Sequence, residues 1–536
     1  MLIENLDWFI ICIYLILLIS LSTYLSKFQK NIRDYFISSR KEEPRNVAIS
    51  VLATQCSTNS ILGAPAFVAF TVGGGLNWLQ YELAVPLSMI AIMIFIFPIF
   101  YKLRIISIYE YLEKRFDSKT RLLLSGLFIM IRVFATAVII YSVSIIIELI
   151  TGLNFVYAVL ILGVITVIYD ILGGIRAIIL SDIIQMFILT IILFGIFLFL
   201  INILGGFSEM MQLLPVERGI DINLYEHGFG DGNVYAFWPM LIGGFFLYIS
   251  YYGCDQSQMQ RGLCVKNQND GQKVFFLNGL LRFPLVLLYC FIGVGLYAYS
   301  ELNKDFIPSI PLVDGKPNYN LAVPVFLIET LPSGIVGLTL VALFSAAMSS
   351  LDSVLNSLSA VTIEDFVKKV NRFKNISEKE SVFLSRFFTF FWGTAAIFLA
   401  FHVENISNNV LVAINKIGSL INGPVLGVFI LGLLTKNIEG SSARIGLVLG
   451  FFVNLYCWKY HENISWLWWN VIGFLTTIIT AFIYNSTLFK SKHNYKNTWS
   501  SEFMKDEGLN IIWIKRYVCL LLWFLLILTV IILIKY

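Results

Sequence analysis

Apolar runs of roughly 20 residues or more recur along the whole chain, and each is long enough to cross a bilayer core of about 30 Å as a helix. The pattern predicts about fourteen spans, at about 6–25, 47–71, 78–101, 121–150, 155–174, 178–203, 234–260, 275–300, 321–366, 381–402, 407–435, 441–457, 465–489 and 509–534. What remains between them is too short for a soluble domain. Two spans depart from a plain apolar pattern. Across 47–71 the run is interrupted by Thr54, Gln55, Ser57, Thr58, Asn59 and Ser60, then by Gly63 and Pro65. Exposed polar groups and broken backbone hydrogen bonds each cost several kcal/mol in hydrocarbon, so this stretch does not face lipid as a regular helix. The segment 321–366 is too long for one crossing and carries Ser345, Ser349, Asp352, Asn356 and Ser359 at helical spacing, a polar stripe on one face. Interrupted helices at bilayer depth mark substrate and ion sites in secondary transporters; the plainer alternative is polar contact between packed helices.

Composition agrees with a membrane protein. Of 536 residues, 58% are hydrophobic and 13% charged, with mean hydropathy +0.79; soluble domains carry about twice that charged fraction. The net charge of +4 becomes informative when sorted by loop, because basic residues collect on the cytoplasmic side. With the N-terminus outside, the inner loops hold Lys27, Lys30, Arg33, Arg40, Lys41 and Arg45, then Lys102, Arg104, Lys114, Arg115 and Lys119, and later Lys368, Lys369, Arg372, Lys374 and Lys379. The outer loops hold little beyond Arg218, Lys304, Lys316 and Lys459. Glu4 and Asp7 precede the first span and Lys27 follows it, the reverse of a secretory signal, so that span is a retained helix.

The seven cysteines lie in or beside apolar runs and read as buried small hydrophobes, and the four histidines form no ligand cluster. No phosphate-cradling Walker loop is present, which argues against ATP as the energy source. The parity of the spans suggests an inverted repeat. Five spans from 47 to 203 begin inside and five from 234 to 435 begin outside. The expected organisation is therefore 1–46 as an extra helix and cytoplasmic loop, 47–203 as the first repeat and 204–233 as an extracellular loop. The second repeat follows at 234–435, and extra C-terminal helices at 436–536.

The stretch Tyr169-Asp-Ile-Leu-Gly-Gly-Ile-Arg-Ala-Ile-Ile-Leu-Ser-Asp-Ile-Ile-Gln185 resembles the signature that sodium/solute symporters carry across their fourth and fifth core helices. Asp170 and Ser181 stand where relatives usually have Thr. Asp255-Gln-Ser-Gln-Met-Gln-Arg261, Ala346-Ala-Met-Ser-Ser-Leu-Asp-Ser-Val-Leu-Asn-Ser357 with Ile363-Glu-Asp365, and Tyr109-Glu-Tyr-Leu-Glu-Lys-Arg-Phe116 are further matches, in family order between about 47 and 435. The resemblance implies an all-α polytopic membrane protein with the ten-helix, 5+5 inverted-repeat (LeuT-type) core of the bacterial amino-acid transporters. One extra N-terminal and about three extra C-terminal helices complete it.

Sodium is a hard cation that needs several oxygens, which a membrane helix supplies by exposing carbonyls at a break and aiming hydroxyls at the gap. Ala346, Ser349 and Ser350 offer one carbonyl and two hydroxyls on one helical face. By resemblance they match the family's sodium site, whose other half is the backbone oxygens of Ala53 and Cys56. The alternative is that both serines hydrogen-bond back to their own helix. A carboxylate inside a membrane costs at least about 3 kcal/mol and calls for a partner, which applies to Asp182 and Asp352. Relatives with a second sodium site build it from positions matching Asp182, Ser349, Asp352 and Ser353, with Ser or Thr commonly in place of Asp352. Two carboxylates either bind the cation more tightly, or one carries a proton, or a basic residue neutralises it.

For the solute, the polar residues of the interrupted span, Gln55, Ser57 and Ser60, are candidates. The Tyr81-Glu82 pair resembles the sugar site of sodium/galactose transporters, and Gln80 falls where sialic-acid relatives carry a ligand. Tyr251 aligns with an aromatic lid over the sugar and Arg282 with a sugar-binding Lys. Tyr248 replaces a sugar-binding Asn, and Ala135 occupies the place of a carboxylate-binding Arg, with Arg132 three residues earlier. Lys416 lies mid-span, placed to pair with Asp352 or Glu82, to hold a substrate carboxylate, or to snorkel.

The expectation is therefore no enzyme but a sodium-coupled symporter in a plasma membrane, or the inner membrane of a bacterium. It would act as a monomer within the lipid bilayer, with Na+ and a small solute as partners and no nucleic acid. Sugar or sugar acid leads over amino acid and monocarboxylate, with proton coupling, solute sensing and channel conduction as alternatives.

Overall fold

Only structures that satisfy their own backbone hydrogen bonds cross hydrocarbon, so an apolar chain of this kind crosses as helices. A computed structural model of the chain describes residues 3–313, 315–373, 376–403, 410–488, 498 and 511–535. Among the described residues, ten helices are long and apolar enough to cross a membrane, or eleven when one sharply bent pair is counted as a span. The regular elements are helical apart from a two-stranded hairpin, Leu312–Val313 with Lys316–Pro317. Lys374, the first residues of the span predicted from 407, and the predicted span ends at 489 and 509 lie outside the described residues.

We label the elements that build the interior. Helix α1 is Asn5–Ser26, α2 Pro44–Gln55, α3 Thr58–Phe70, α4 Trp78–Lys102, α5 Tyr109–Arg115, α6 Ser118–Thr151 and α7 Phe155–Ile203. They are followed by α8 Gly244–Gly253, α9 Gln256–Gly262, α10 Gln268–Leu302, α11 Ile335–Lys369, α12 Glu378–Ala400, α13 Val410–Leu434, α14 Gly440–Tyr460 and α15 Trp468–Leu488, with Ile511–Lys535 last.

The predicted spans 155–174 and 178–203 are two helices that follow one another inside α7 without a loop; its 49 residues would extend about 74 Å if straight, more than two bilayer cores. Its backbone leaves helical geometry at Gly174, at φ 57° and ψ −175°. A side chain there would be strained, and its Cβ would lie 2.9 Å from Gln29 Nε2 and 3.1 Å from the Tyr35 carbonyl. The predicted span 321–366 is also divided. A short helix, Ala322–Thr330, stops before Pro332 and Gly334, and α11 starts only at Ile335.

Buried polar side chains fasten the helix ends. Asp7 of α1 accepts 2.7 Å bonds from the Gly334 and Gly337 amides, capping the start of α11. Arg115 donates to the carbonyls of Gly432 at 3.0 Å and Thr435 at 2.7 Å, closing the end of α13. Arg121 of α6 bonds Asp365 of α11 at 2.8 Å through Nε and Glu113 of α5 at 2.6 Å. These contacts join three helices at the end that carries the basic loops. Asp117 caps α6 through the Thr120 amide at 2.7 Å and holds Arg444 of α14 at 2.6 Å. Burial pushes the Asp117 carboxyl up, but the hydrogen bonds from Arg444 and Thr120 more than offset this and hold it below its ordinary range.

A group with a depressed native pKa stabilises the fold above its unfolded value and loses that contribution as pH falls through the native one. The difference in melting temperature between wild type and Asp117→Asn is therefore expected to be constant from about pH 5 to 8 and to shrink progressively as pH falls below the ordinary aspartate value of about 3.9. Thermal denaturation in detergent across that range checks it, and a difference that grows on acidification contradicts the assignment.

Candidate functional site

The polar run seen in the sequence is where the second membrane segment breaks. Helix α2 ends at Gln55, Cys56 sits at φ −77° and ψ 50°, and α3 leaves at an angle of 56° to α2. The break frees carbonyls that a continuous helix would satisfy. The Thr54 carbonyl takes a 3.0 Å bond from the Ser350 hydroxyl of α11, and the Gln55 carbonyl a 3.1 Å bond from Ser60. Those of Ala53 and Cys56 receive no hydrogen bond among the described residues. Ser350 also lies 3.2 Å from the Ala346 carbonyl of its own helix. The geometry therefore contains both arrangements expected for this serine, the back-bond within α11 and the reach across to the broken helix.

A second layer of polar groups lies against the first. Asp182 of α7 accepts hydrogen bonds from the hydroxyls of Ser50 and Ser349, and Arg261 Nη2 of α9 lies 3.6 Å from its Oδ2. Ser353 Oγ is 2.6 Å from the Ser349 carbonyl, 3.1 Å from Asp352 Oδ1 and 3.1 Å from Thr54 Oγ1. Asp352 Oδ2 accepts from the Tyr169 hydroxyl at 3.1 Å. Asp182, Ser349, Ser350, Asp352 and Ser353 are all buried, so the stripe on α11 faces α2 and α7 rather than lipid. Among the described residues there is no cluster of three His, Cys, Asp or Glu side chains able to hold a metal ion; the oxygens here are hydroxyls, carbonyls and carboxylates, the donor set of a hard cation.

Beside the break lies a cavity of about 170 Å³. Gln55, Ser57, Ser60, Tyr248, Tyr251 and Arg282, six of the residues expected to contact solute, line it. Arg282 donates to Glu82 at 2.7 Å and 3.2 Å and to the Tyr248 hydroxyl at 3.0 Å, and it also reaches the Gln55 side chain. Tyr248 donates to Glu82 at 2.9 Å. Glu82 is thus fully buried behind Arg282 rather than at the cavity surface. At the other edge Arg132 bonds Asp255 at 2.8 Å and lies 5.5 Å over the Tyr251 ring, whose hydroxyl accepts from Gln258 at 3.0 Å. Gln55 Nε2 and Asn59 Oδ1 are buried at the cavity without a partner among the described residues.

Two expected contributors stand elsewhere. Gln80 does not line the cavity; its amide bonds Asn77 at 2.9 Å and the Asp221 carbonyl of the 204–233 loop at 2.8 Å. Lys416 pairs with neither Asp352 nor Glu82, and its ammonium lies 5.7 Å over the Trp469 ring of α15. Its neighbours Ile414 and Asn415 line the cavity instead. Arg261, which ends one of the motif stretches quoted for the family, is the basic partner of Asp182, a pairing that no local pattern predicts. A wholly buried arginine on a seven-residue helix has no periodic signal of its own.

The architecture and the polar break define a secondary transporter of the membrane. The chain belongs to the sodium:solute symporter family, whose model matches residues 35–450. It is a sodium-coupled transporter, not an enzyme. It is 26% identical over 496 residues to the sodium/sialic acid symporter NanT of Aliivibrio fischeri, covering 91% of this chain and 94% of the relative. It is 27% identical over 481 residues to the sodium/sialic acid symporter SiaT of Proteus mirabilis, covering 88% and 92%. Human sodium-coupled monocarboxylate transporter 1 is 27% identical, over 80% of this chain and 68% of that protein. A solved sodium-coupled sialic acid symporter in an outward-open state has the same fold, with TM-score 0.81 at 24% identity over 91% of this chain and 98% of that one. Mhp1, a nucleobase-cation symporter, is more distant, with TM-score 0.56 at 12% identity over 88% and 98%.

Removing one partner of a buried ion pair leaves an uncompensated charge, at a cost of about 3–5 kcal/mol. Glu82→Gln is therefore expected to lower the melting temperature of the purified protein clearly. The double change Glu82→Gln with Arg282→Met should recover much of the loss. Equal melting temperatures for wild type and Glu82→Gln would show that Arg282 does not depend on this carboxylate.

Proposed function

We propose that the chain imports a sugar acid or a related small polar solute by alternating access, driven by sodium bound at the break between α2 and α3. The observation that carries this is the Ser350 hydroxyl bonded to the Thr54 carbonyl across the break, with the Ala53 and Cys56 carbonyls left without donors. In this reading sodium is held by the carbonyls of Ala53, Cys56 and Ala346 and the hydroxyls of Ser349 and Ser350. Asp182, Ser349, Asp352 and Ser353 offer a second position. Solute occupies the adjacent cavity, where Gln55, Ser57, Ser60 and Asn59 meet its hydroxyls and Arg132 its carboxylate. Tyr251 closes the way out, and Arg282, held by Glu82 and Tyr248, keeps the cavity wall in place.

The sugar-acid reading rests on the sialic acid symporters that match nearly the full chain. The monocarboxylate transporters match a smaller share of their own length and support the second reading, a short carboxylate. The same proposal places about fourteen crossings, ten of them as two inverted repeats at 47–203 and 234–435, with one helix before the repeats and about three after. The N-terminus is outside, and the monomer sits in the plasma membrane or the inner membrane of a bacterium. Each charge carried inward contributes about 2.3 kcal/mol per 100 mV, roughly a fifty-fold accumulation.

Uptake of labelled N-acetylneuraminic acid into proteoliposomes is expected to require sodium in the bath. Ser349→Ala should reduce sodium-driven uptake at least about ten-fold and shrink the sodium-dependent rise in melting temperature. Equal uptake in sodium, potassium and choline would refute the coupling. Sodium-dependent uptake of a short carboxylate with none of the sugar acid would select the second reading.

A further inference from the structure

Helix α1 precedes the proposed repeats, and nothing described so far uses its middle. One face carries Phe9, Ile13, Ile16 and Leu17, all exposed, as suits a helix that meets lipid. The opposite stripe is buried, and its three polar side chains, Asp7, Tyr14 and Ser22, each bond to α7 or α11. Asp7 caps the start of α11, where the packing is so close that a Cβ at Gly337 would lie 2.7 Å from the Asp7 Cα. Ser22 donates to the Tyr169 carbonyl of α7. Between these two ends the Tyr14 hydroxyl accepts a 2.8 Å bond from the Ser345 hydroxyl of α11 and a 3.2 Å bond from Gln185 Nε2 of α7.

The place of this contact gives it its meaning. Ser345 lies four residues before Ser349 on α11 and Gln185 three residues after Asp182 on α7, offsets of about 6 Å and about 4.5 Å along the two helices. Both steps lead away from the ends that carry Arg176 and Lys368. Ser349 itself donates to Asp182. The Tyr14 hydroxyl therefore bridges α7 and α11 one turn from the point where the same two helices meet at the second cation position. Tyr14, Ser345 and Gln185 are all buried. Gln185 Oε1 has no partner among the described residues, and a half-turn of the amide would let Tyr14 donate to that oxygen while still accepting from Ser345. In either orientation one hydroxyl joins the two helices, and a phenylalanine would fill its space without the tie.

We propose that Tyr14 is a positioning residue for the second cation position: its hydroxyl fixes the separation of α7 and α11, and with it the fit of one sodium ion between Asp182 and the hydroxyls of Ser349 and Ser353. Oxygens on two separate helices match an ion of one size only while those helices keep their distance, because selection between hard cations follows cavity size and ligand flexibility. The inference rests on the reading of Asp182 and its neighbours as a cation position, and it gives the helix that precedes the repeats a part in ion selection.

The test is equilibrium binding of ²²Na⁺ to the purified full-length protein in detergent, with competition by lithium. Wild type is compared with Tyr14→Phe, Ser345→Ala and the double variant, and Asp182→Asn and the milder Ser353→Ala serve as references for the cation position. Tyr14→Phe is expected to raise the sodium concentration for half-saturation at least about three-fold and to narrow the preference for sodium over lithium. Ser345→Ala breaks the same tie from α11 and should do the same, and the double variant should bind no more weakly than the weaker single one. If Tyr14→Phe and Ser345→Ala bind both ions as wild type does while either reference variant binds sodium more weakly, the proposal is overturned and the cation position stands. A lower melting temperature in those two variants with unchanged ion binding overturns it equally, since Tyr14 would then serve packing alone. If neither reference variant changes sodium binding, the second cation position falls and the proposal with it.

Discussion

The interior of this protein is organised by the cost of leaving a polar group unmet where no water reaches it. A helix that stops in hydrocarbon releases carbonyls, and at the Cys56 break some are answered by side chains while others are not. Ser60 answers from α3 and Ser350 from α11, so the break in one segment also bears on what the facing segment can be. This accounts for the serines and carboxylates at 345–359 on a helix that is buried almost throughout. Apolar residues there would leave the Thr54 carbonyl without a donor and Asp182 without the Ser349 hydroxyl. The proposed ion site and the tie between the two helices thus use the same groups, so an ion bound there would bear directly on the tie.

Charge follows the same rule. The cavity contains two arginines, and each is already matched, Arg282 by Glu82 and Arg132 by Asp255. A solute therefore enters a wall whose charge is balanced, and it finds unpaired hydrogen-bonding atoms on Gln55 and Asn59. Hydroxyl-rich molecules fit such a wall directly. An anionic solute has to compete with Asp255 for Arg132, and that competition would loosen the contact holding Tyr251 in place. In the proposed function this one guanidinium would link binding of the solute to release of Tyr251.

Much of this was legible in the sequence because membrane segments announce both themselves and their exceptions. The polar run at 54–60 located the first break to within a residue or two, and the spacing of Ser345 to Ser359 identified the face opposite it. What was not legible lacks periodicity. The second interruption, at Cys254 and Asp255 between α8 and α9, sits in a run of ordinary residues and was read as one continuous span. Gln80 was assigned to solute by analogy, whereas its environment is set by the return of the 204–233 loop, a contact no local pattern encodes. For Lys416 the residue pattern leaves a carboxylate partner, a substrate carboxylate and snorkelling open, and the structure sets its ammonium over the Trp469 ring, a contact no local pattern encodes.

The two interruptions together say more than either alone. One opens the segment at 44–70 and the other the segment at 239–262, and residues beside both line the same cavity. In the proposed inverted repeat these are the equivalent first helices, which puts the cavity beside the two segments that depend most on side chains for satisfaction. Elsewhere the helices are locked by networks such as Arg121 with Asp365 and Glu113, which lie far along α6 and α11 from the break. Movement between outward and inward access therefore has a defined place to begin. The broken helices can change their tilt at the cost of a few hydrogen bonds that an ion or solute replaces, whereas the locked ends move only as whole units.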